Sequence, residues 1–177
     1  AIEQSWLQEL YPEHISHQRT VAYNSVLRRV EAKESTLYLD LVLDEGHGVP
    51  ATPDESGACL ADEVMAGRLA LKEWTPAVEQ WILRLNSLSE WCPELELPRI
   101  GPDERRKLVA RICHGAMTYR DIKERPVLPA VRSWLDSTGK RLLDSNAPEH
   151  ITLSNGKTVK LAYEAGRAPC FSARIQD

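Results

Sequence analysis

The chain has 177 residues and a formal net charge of −4, and 42% of its residues are hydrophobic and 27% charged. This composition is ordinary for a globular protein and excludes wholesale disorder. The longest apolar runs are only a few residues, so we expect no transmembrane helix, and no basic segment leads into an apolar one as in a signal peptide. The four cysteines are scattered singly without a C-x-x-C pair, which predicts free thiols in a reducing cytoplasm and no structural metal site.

The amino-terminal part of the chain contains three β signals. Residues 20–23, 27–32 and 37–43 are rich in β-branched, aromatic or leucine residues, and a polar turn is predicted at 33–36. In the third segment leucines alternate with other residues, which is typical of a half-buried antiparallel strand. We therefore expect a small antiparallel β segment over residues 1–50.

Residues 51–146 predict a helical region of four or five helices. In the helix that begins after Thr75, apolar residues recur on one face at helical spacing. Thr118 and Asp121 fit a capping box, and a longer helix is expected at 127–143. Two further helices are predicted to begin near Pro53-Asp54 and at Pro102, the second of them ending before Gly115.

The charge is unevenly distributed along this region. Residues 101–141 contain ten Lys or Arg and five Asp or Glu, a balance of +5, whereas residues 1–100 contain eight basic and seventeen acidic residues. Such a basic segment fits either a solvated helix face or a face that meets phosphate. The candidate nucleic-acid contacts are Arg105, Arg106, Lys107 and Arg111.

The last segment, residues 147–177, is predicted to return to β structure with a hairpin. A two-residue turn at Asn155-Gly156 would place the apolar residues of the two strands on opposite faces. A three-residue loop that ends at Gly156, in the left-handed conformation, instead pairs Ile151 with Val159. Because burial fixes the register, we predict the three-residue loop. Strands, then helices, then strands make the expected fold α+β.

Two segments look like parts of an ATPase signature. Gly156-Lys157-Thr158 matches the end of a P-loop, but Ile151 occupies the position of the first glycine and no helix follows. Asp44-Glu45-Gly46-His47 looks like an acidic magnesium-binding box. It precedes Gly156-Lys157-Thr158 in the chain, however, whereas in ATPases the phosphate loop comes before the acidic box. We interpret them as a hairpin tip and as the exit from a strand. No other residues assemble a nucleophile, a base and oxyanion donors, so we expect the chain itself to be catalytically inactive.

A family resemblance rests on the order and spacing of several short motifs. The main motif covers residues 147–159 and is followed by Tyr163, Pro169 and Ala173-Arg174-Ile175-Gln176. The chain resembles the bacterial HrpB-type DEAH-box RNA helicases, in the region that follows their two motor lobes. The upstream motifs that fit the same family are 29–32, 37–43, 81–88 and 91–94.

The resemblance implies a parent protein that hydrolyses ATP to remodel or unwind RNA. ATP and Mg²⁺ are then bound by motor lobes outside this sequence, and no catalytic residue, metal ligand or cofactor carries over to this chain. The family's last conserved domain is expected to begin near residues 170–177. The resemblance thus implies a cytoplasmic accessory region whose partners are RNA and the motor lobes, with no membrane contact. The alternative is a docking or structural module without nucleic-acid affinity of its own.

Overall fold

The computed structural model describes Trp6 and residues 9–171, without the side chains at positions 47 and 48. The motif at 173–176 lies outside the described residues. Within them the order is three strands, six α-helices and a two-stranded hairpin, which confirms the predicted α+β class. The strands are β1 (Ile15–Asn24), β2 (Arg29–Tyr38), β3 (Leu41–Val49), β4 (His150–Thr152) and β5 (Thr158–Lys160). The helices are α1 (Pro53–Met65), α2 (Pro76–Trp91), α3 (Pro102–Cys113), α4 (Tyr119–Ile122), α5 (Leu128–Arg132) and α6 (Ser137–Asn146).

Contacts within the chain group its residues into two units. Unit 1 comprises residues 1–69 and 109–123, and unit 2 comprises residues 70–108 and 124–177. The last turns of α3 therefore belong to unit 1 and its first turns to unit 2. The predicted division into three consecutive segments follows composition along the chain rather than contacts, and it stays a prediction.

Unit 1 is built on a three-stranded antiparallel sheet in the order β1-β2-β3. Asn24 pairs with Arg29 at one end of the first hairpin, and Tyr38 pairs with Leu41 across the second turn. Val30 in β2 is buried and its N–H donates to the Met117 carbonyl at 2.7 Å. This hydrogen bond ties the middle strand to the segment that leads into α4.

The third predicted strand, residues 37–43, is wrong because that segment spans the turn between β2 and β3. Leu39 lies in the turn with a φ of +51°. Leu41 and Val42 are 68% and 52% exposed, so the alternation of leucines does not report a buried face. The turn predicted at 33–36 is also wrong, because these residues continue β2.

The acidic segment Asp44-Glu45-Gly46-His47 lies inside β3 and is not the exit from a strand. Asp44 pairs with Thr36 and Glu45 with Ser35 across the antiparallel ladder. The backbone of the segment is therefore used for pairing with β2.

An ion-pair cluster joins the sheet to α1 within unit 1. The Arg19 guanidinium donates to Glu34 at 2.6 Å, to Glu55 at 2.8 and 2.9 Å, and to the Pro50 carbonyl at 2.9 Å. Glu55 also closes a capping box with Thr52 at the start of α1. These bonds, from Arg19 first, lower the pKa of Glu55 to about 2. The carboxylate therefore fixes both the beginning of the helix and its attachment to β1.

Unit 2 has its core along α2. Helical spacing places the apolar side chains of this helix on one face, as predicted, and α5 and α6 pack against the helix. Asn86 holds the segment before α3, because its side chain both donates to and accepts from the backbone of Ile100. The buried apolar residues of α2 are Val78, Trp81, Ile82, Leu85 and Leu88.

The helix predicted at 127–143 is wrong, because two short helices occupy this segment. The backbone of Asp136 is extended, and its side chain accepts from the Gly139 N–H at 2.6 Å. An extended residue that caps the next turn begins a new helix, so α5 and α6 are separate. Val131 and Leu135, in and just after α5, are both buried.

The carboxy-terminal hairpin has the predicted three-residue loop. Ile151 pairs with Val159, and the Leu153 N–H donates to the Lys157 carbonyl at 2.9 Å. Gly156 has a φ of +78°, the left-handed conformation that the loop requires. The predicted register and the predicted turn residue are confirmed.

Candidate functional site

The four basic residues selected from the sequence all lie on α3. Arg106, Lys107 and Arg111 are exposed, and Lys107 and Arg111 are four residues apart, which places them on the same side of the helix. Arg106 is turned about 100° away from Lys107, as one helical step requires. Arg106 and Lys107 belong to unit 2 and Arg111 to unit 1, and each of the three is exposed.

Arg105 has a different environment from the other three. Its guanidinium donates to both carboxylate oxygens of Glu79 at 2.7 Å and lies 5.9 Å from the centre of the Trp74 ring. The Trp74 indole N–H donates to the same carboxylate at 2.6 Å. The Arg105 guanidinium, opposed by partial burial and helped by Trp74, lowers the pKa of Glu79. Arg105 therefore joins α3 to α2 in unit 2.

A buried arginine holds the other side of unit 2 together. Arg84, in α2, has a side chain only 3% exposed. Its guanidinium donates to the Ala147 carbonyl, to Asp144 and, at 2.8 Å, to Glu149. One side chain thus binds the end of α6, sixty residues away, and the segment that enters β4, sixty-five residues away.

Tyr163 completes the attachment of the hairpin to α2. Its backbone N–H donates to the Gln80 side chain at 2.9 Å, and its carbonyl accepts from the same side chain at 3.1 Å. Its hydroxyl donates to the Pro148 carbonyl at 2.7 Å. Burial raises the pKa of Tyr163. The phenol therefore stays neutral and keeps its proton for this hydrogen bond.

Two cavities lie beside Arg84, and we treat them together as one groove because they share lining residues. They share Trp81, Arg84, Arg132 and Glu149 as lining residues. The first cavity also reaches the hairpin, and the second reaches α6. We call this surface the α5–α6–hairpin groove. The other charged lining residues are Lys140, Asp144, His150 and Lys160.

The sequence did not single out this groove. Arg132 and Lys140 belong to the basic stretch 101–141, but Lys160 lies twenty residues beyond Lys140 in a separate strand. Only the packing of α5, α6 and the hairpin on α2 brings the three together. The excess of Lys and Arg over 101–141 was the available signal, and it pointed to α3 because the residues cluster most densely there.

The two ATPase-like segments lie in different units. Gly156-Lys157-Thr158 forms the tip and start of β5 in unit 2, whereas Asp44 and Glu45 lie in β3 of unit 1. Among the described residues, no three His, Cys, Asp or Glu side chains are grouped to hold a metal ion. None of the helices in that part of the chain is long and apolar enough to cross a membrane.

Comparisons with known proteins agree on one family. Residues 108–177 match the sequence model of the HrpB C-terminal family, described as ATP-dependent helicase C-terminal. This match begins within α3, well before residues 170–177, where the family's last conserved domain was expected to begin. A curated relative, the ATP-dependent RNA helicase HrpB of Escherichia coli strain K12, is 28% identical over 130 residues. That alignment covers 70% of the chain and 16% of the relative, so the chain spans about a sixth of its length.

Two solved structures have the same fold. The crystal structure of the E. coli DExH-box NTPase HrpB has a TM-score of 0.66 and 21% identity, over 99% of this chain and 22% of that one. The crystal structure of the E. coli DEAH/RHA helicase HrpB has a TM-score of 0.65 and 22% identity, over 91% of this chain and 21% of that one. Residues 108–177 thus match the C-terminal region of HrpB-type helicases, and the chain shares the fold of the two HrpB structures.

Proposed function

We propose that the chain is a non-catalytic accessory region of an ATP-dependent RNA helicase and that it contributes to RNA binding through α3. RNA is named in the description of the curated relative. ATP and Mg²⁺ belong, in this proposal, to motor lobes elsewhere in the parent protein, which acts in the cytoplasm. The motor lobes are the chain's second partner.

The observation that carries the RNA proposal is the exposed basic surface of α3. Arg106, Lys107 and Arg111 project from a helix inside a segment with a balance of +5, in a chain of net charge −4. A concentrated positive surface attracts phosphate even on a protein whose net charge is negative. Charge then determines that the chain meets the RNA through α3.

Salt dependence is the direct test of this contact. Anisotropy of a fluorescent single-stranded RNA is measured with the full 177-residue chain over a range of potassium chloride concentrations. Each phosphate contact on a single strand contributes about −0.7 to the slope of log K against log salt. We expect the triple variant Arg106→Gln/Lys107→Gln/Arg111→Gln to lose affinity and to have a slope smaller by about 2.

A charge-matched control separates this contact from the effect of net charge. Arg68→Gln/Arg99→Gln/Arg167→Gln removes three cations whose side chains are 62%, 60% and 77% exposed, all outside the basic stretch. This variant should retain the slope of the unmodified chain. Equal losses in the two triple variants, or no binding of the unmodified chain at low salt, would refute the proposed contact.

The alternative function, a docking module, is favoured by the apolar end of the sheet in unit 1. Leu39, Leu41 and Val42 are each more than half exposed around the β2–β3 turn. Exposed apolar side chains that lie together are typical of protein contact surfaces. Under this alternative the chain has no RNA affinity, and adding the parent's motor lobes in trans raises its Tm.

A further inference from the structure

We propose that the α5–α6–hairpin groove of unit 2 is a second binding site for the phosphates of single-stranded RNA. The inference rests on the proposed RNA function but assigns a different surface from α3. Three separate elements each supply one exposed cation: Arg132 ends α5, Lys140 lies in α6 and Lys160 ends β5.

The groove is positive even though carboxylates line it. Its lining contains four Lys or Arg side chains, including the buried Arg84, and the two carboxylates Asp144 and Glu149, a balance of +2 among these six groups. Both carboxylates already accept hydrogen bonds from Arg84. Glu149 also lies 3.7 Å from Arg132. The negative charge of the lining is therefore concentrated at Arg84.

The two lysines of the groove are available to a ligand. Within the described part of the chain, the ammonium group of neither Lys140 nor Lys160 makes a hydrogen bond or an ion pair, and both residues are exposed. The ammonium group is a compact charge on a flexible stem, which suits contact with phosphate oxygens of varying position. Arg132 can add a planar, two-pronged contact to the same backbone.

The aromatic rings of the groove indicate which part of the nucleic acid is recognised. Trp81 is 5% exposed and Tyr163 is 2% exposed, so neither ring offers a free face to a base. Stacking on aromatic side chains is the usual contribution of the bases to single-strand binding. Without it, the groove should recognise the sugar–phosphate backbone and show little preference between bases.

Arg84 links this site to the fold rather than to the ligand. Its side chain is only 3% exposed and is bonded to acceptors on three sides. We therefore treat Arg84 as a positioning residue that holds α6 and the entry to β4 at a fixed spacing. The ligand contacts are assigned to Arg132, Lys140 and Lys160.

The test uses the full chain with Lys140→Gln/Lys160→Gln and fluorescent single-stranded RNA. Removal of two phosphate contacts should reduce the salt slope by about 1.4. When the salt is raised from about 50 to about 200 mM, both proteins should lose affinity for the RNA. The loss for the unmodified chain should be roughly sevenfold greater than the loss for the variant. Lys140→Arg/Lys160→Arg keeps both charges and should retain the original slope, which would tie the effect to charge.

The matched control is Arg141→Gln/Lys157→Gln, which removes two exposed cations from α6 and the hairpin that do not line the groove. We expect this control to bind RNA as the unmodified chain does. Oligouridine and oligoadenosine should bind within about threefold of each other, since stacking is absent. A DNA strand of the same sequence tests whether the 2′-hydroxyl adds to the phosphate contact.

The outcomes separate the two proposals. If the unmodified chain binds RNA but the Lys140→Gln/Lys160→Gln variant has the same affinity and slope, the groove inference fails and the α3 contact stands. If only the groove variant loses affinity, the α3 contact fails instead. If the unmodified chain binds no RNA at low salt, both are wrong.

Discussion

Arg84 places a positive charge in the interior of unit 2, where burial disfavours a charge that lacks partners. Its three acceptors are the Ala147 carbonyl, Asp144 and Glu149. Ala147 is itself 1% exposed, so its carbonyl has little access to water as a substitute donor. The ion pairs and the carbonyl bond together fix where the chain leaves α6.

We expect Arg84→Met to lower the free energy of unfolding by about 3 kcal/mol. Methionine keeps most of the apolar stem but leaves the Ala147 carbonyl and two carboxylates without their donor. In a domain of this size the change corresponds to a Tm lower by roughly 6–12 °C, measured by circular dichroism.

The control for this prediction is Arg99→Met, also in unit 2. The side chain of Arg99 is 60% exposed and lies 3.6 Å from Glu90. Exposed ion pairs contribute little, so this change should stay within about 0.5 kcal/mol. A Tm for Arg84→Met equal to that of the control would show that the buried arginine does not hold the unit together.

The role of Arg84 could not be predicted from the local sequence. The apolar spacing of α2 correctly identifies Trp81 and Leu85 as buried, but an arginine beside them is expected to reach solvent. Its partners lie at 144, 147 and 149, so the cause of its burial is tertiary. Arg105 is a similar case, because its partner Glu79 lies in another helix, α2.

At the level of elements, the signals that succeeded are those contained within a few residues. Thr118 and Asp121 form the predicted capping box at α4. Thr52 and Glu55 form another at α1, and the same three-residue spacing could have identified it. The β2–β3 turn was not predicted, because leucine is not a typical turn residue, although the φ of Leu39 is positive.

The hairpin loop gives a prediction of its own, because a side chain at position 156 would be disfavoured only by the backbone conformation. A Cβ at this position would meet no atom within 4 Å, but φ is +78°. We expect Gly156→Val to destabilise the hairpin by about 1–2 kcal/mol, since a β-branched residue disfavours the left-handed region. Hydrogen exchange at the Leu153 and Gly156 amides, with Tm, measures the effect.

Gly156→Asn serves as the matched variant, since asparagine tolerates the left-handed conformation better than other residues with a Cβ. Its effect should be clearly smaller than that of valine. Equal exchange rates and Tm in the valine variant and the unmodified chain would mean that the loop adopts another turn without cost.

At the scale of the whole molecule, ATP binding by this chain would depend on whether the two ATPase-like segments can bind nucleotide. The hairpin already uses the backbone donors that a phosphate loop needs. The Gly156 N–H donates to the Leu153 carbonyl at 2.9 Å, and the Lys157 N–H donates to the Asn155 side chain at 3.0 Å. A phosphate loop instead presents free N–H groups at the start of a helix.

We therefore expect Mg·ATP neither to be hydrolysed by this chain nor to shift its Tm. A site with a Kd of about 10 µM would, at about 1 mM nucleotide, stabilise the folded state by about 2.7 kcal/mol. That is a shift of several degrees in a thermal scan, so its absence is measurable. Asp44→Asn/Lys157→Gln should behave like the unmodified chain in the same scan, because neither side chain has a nucleotide role. A Tm rise with Mg·ATP that this double variant abolishes would assign an ATP site to the chain and overturn the proposal that it is a non-catalytic accessory region.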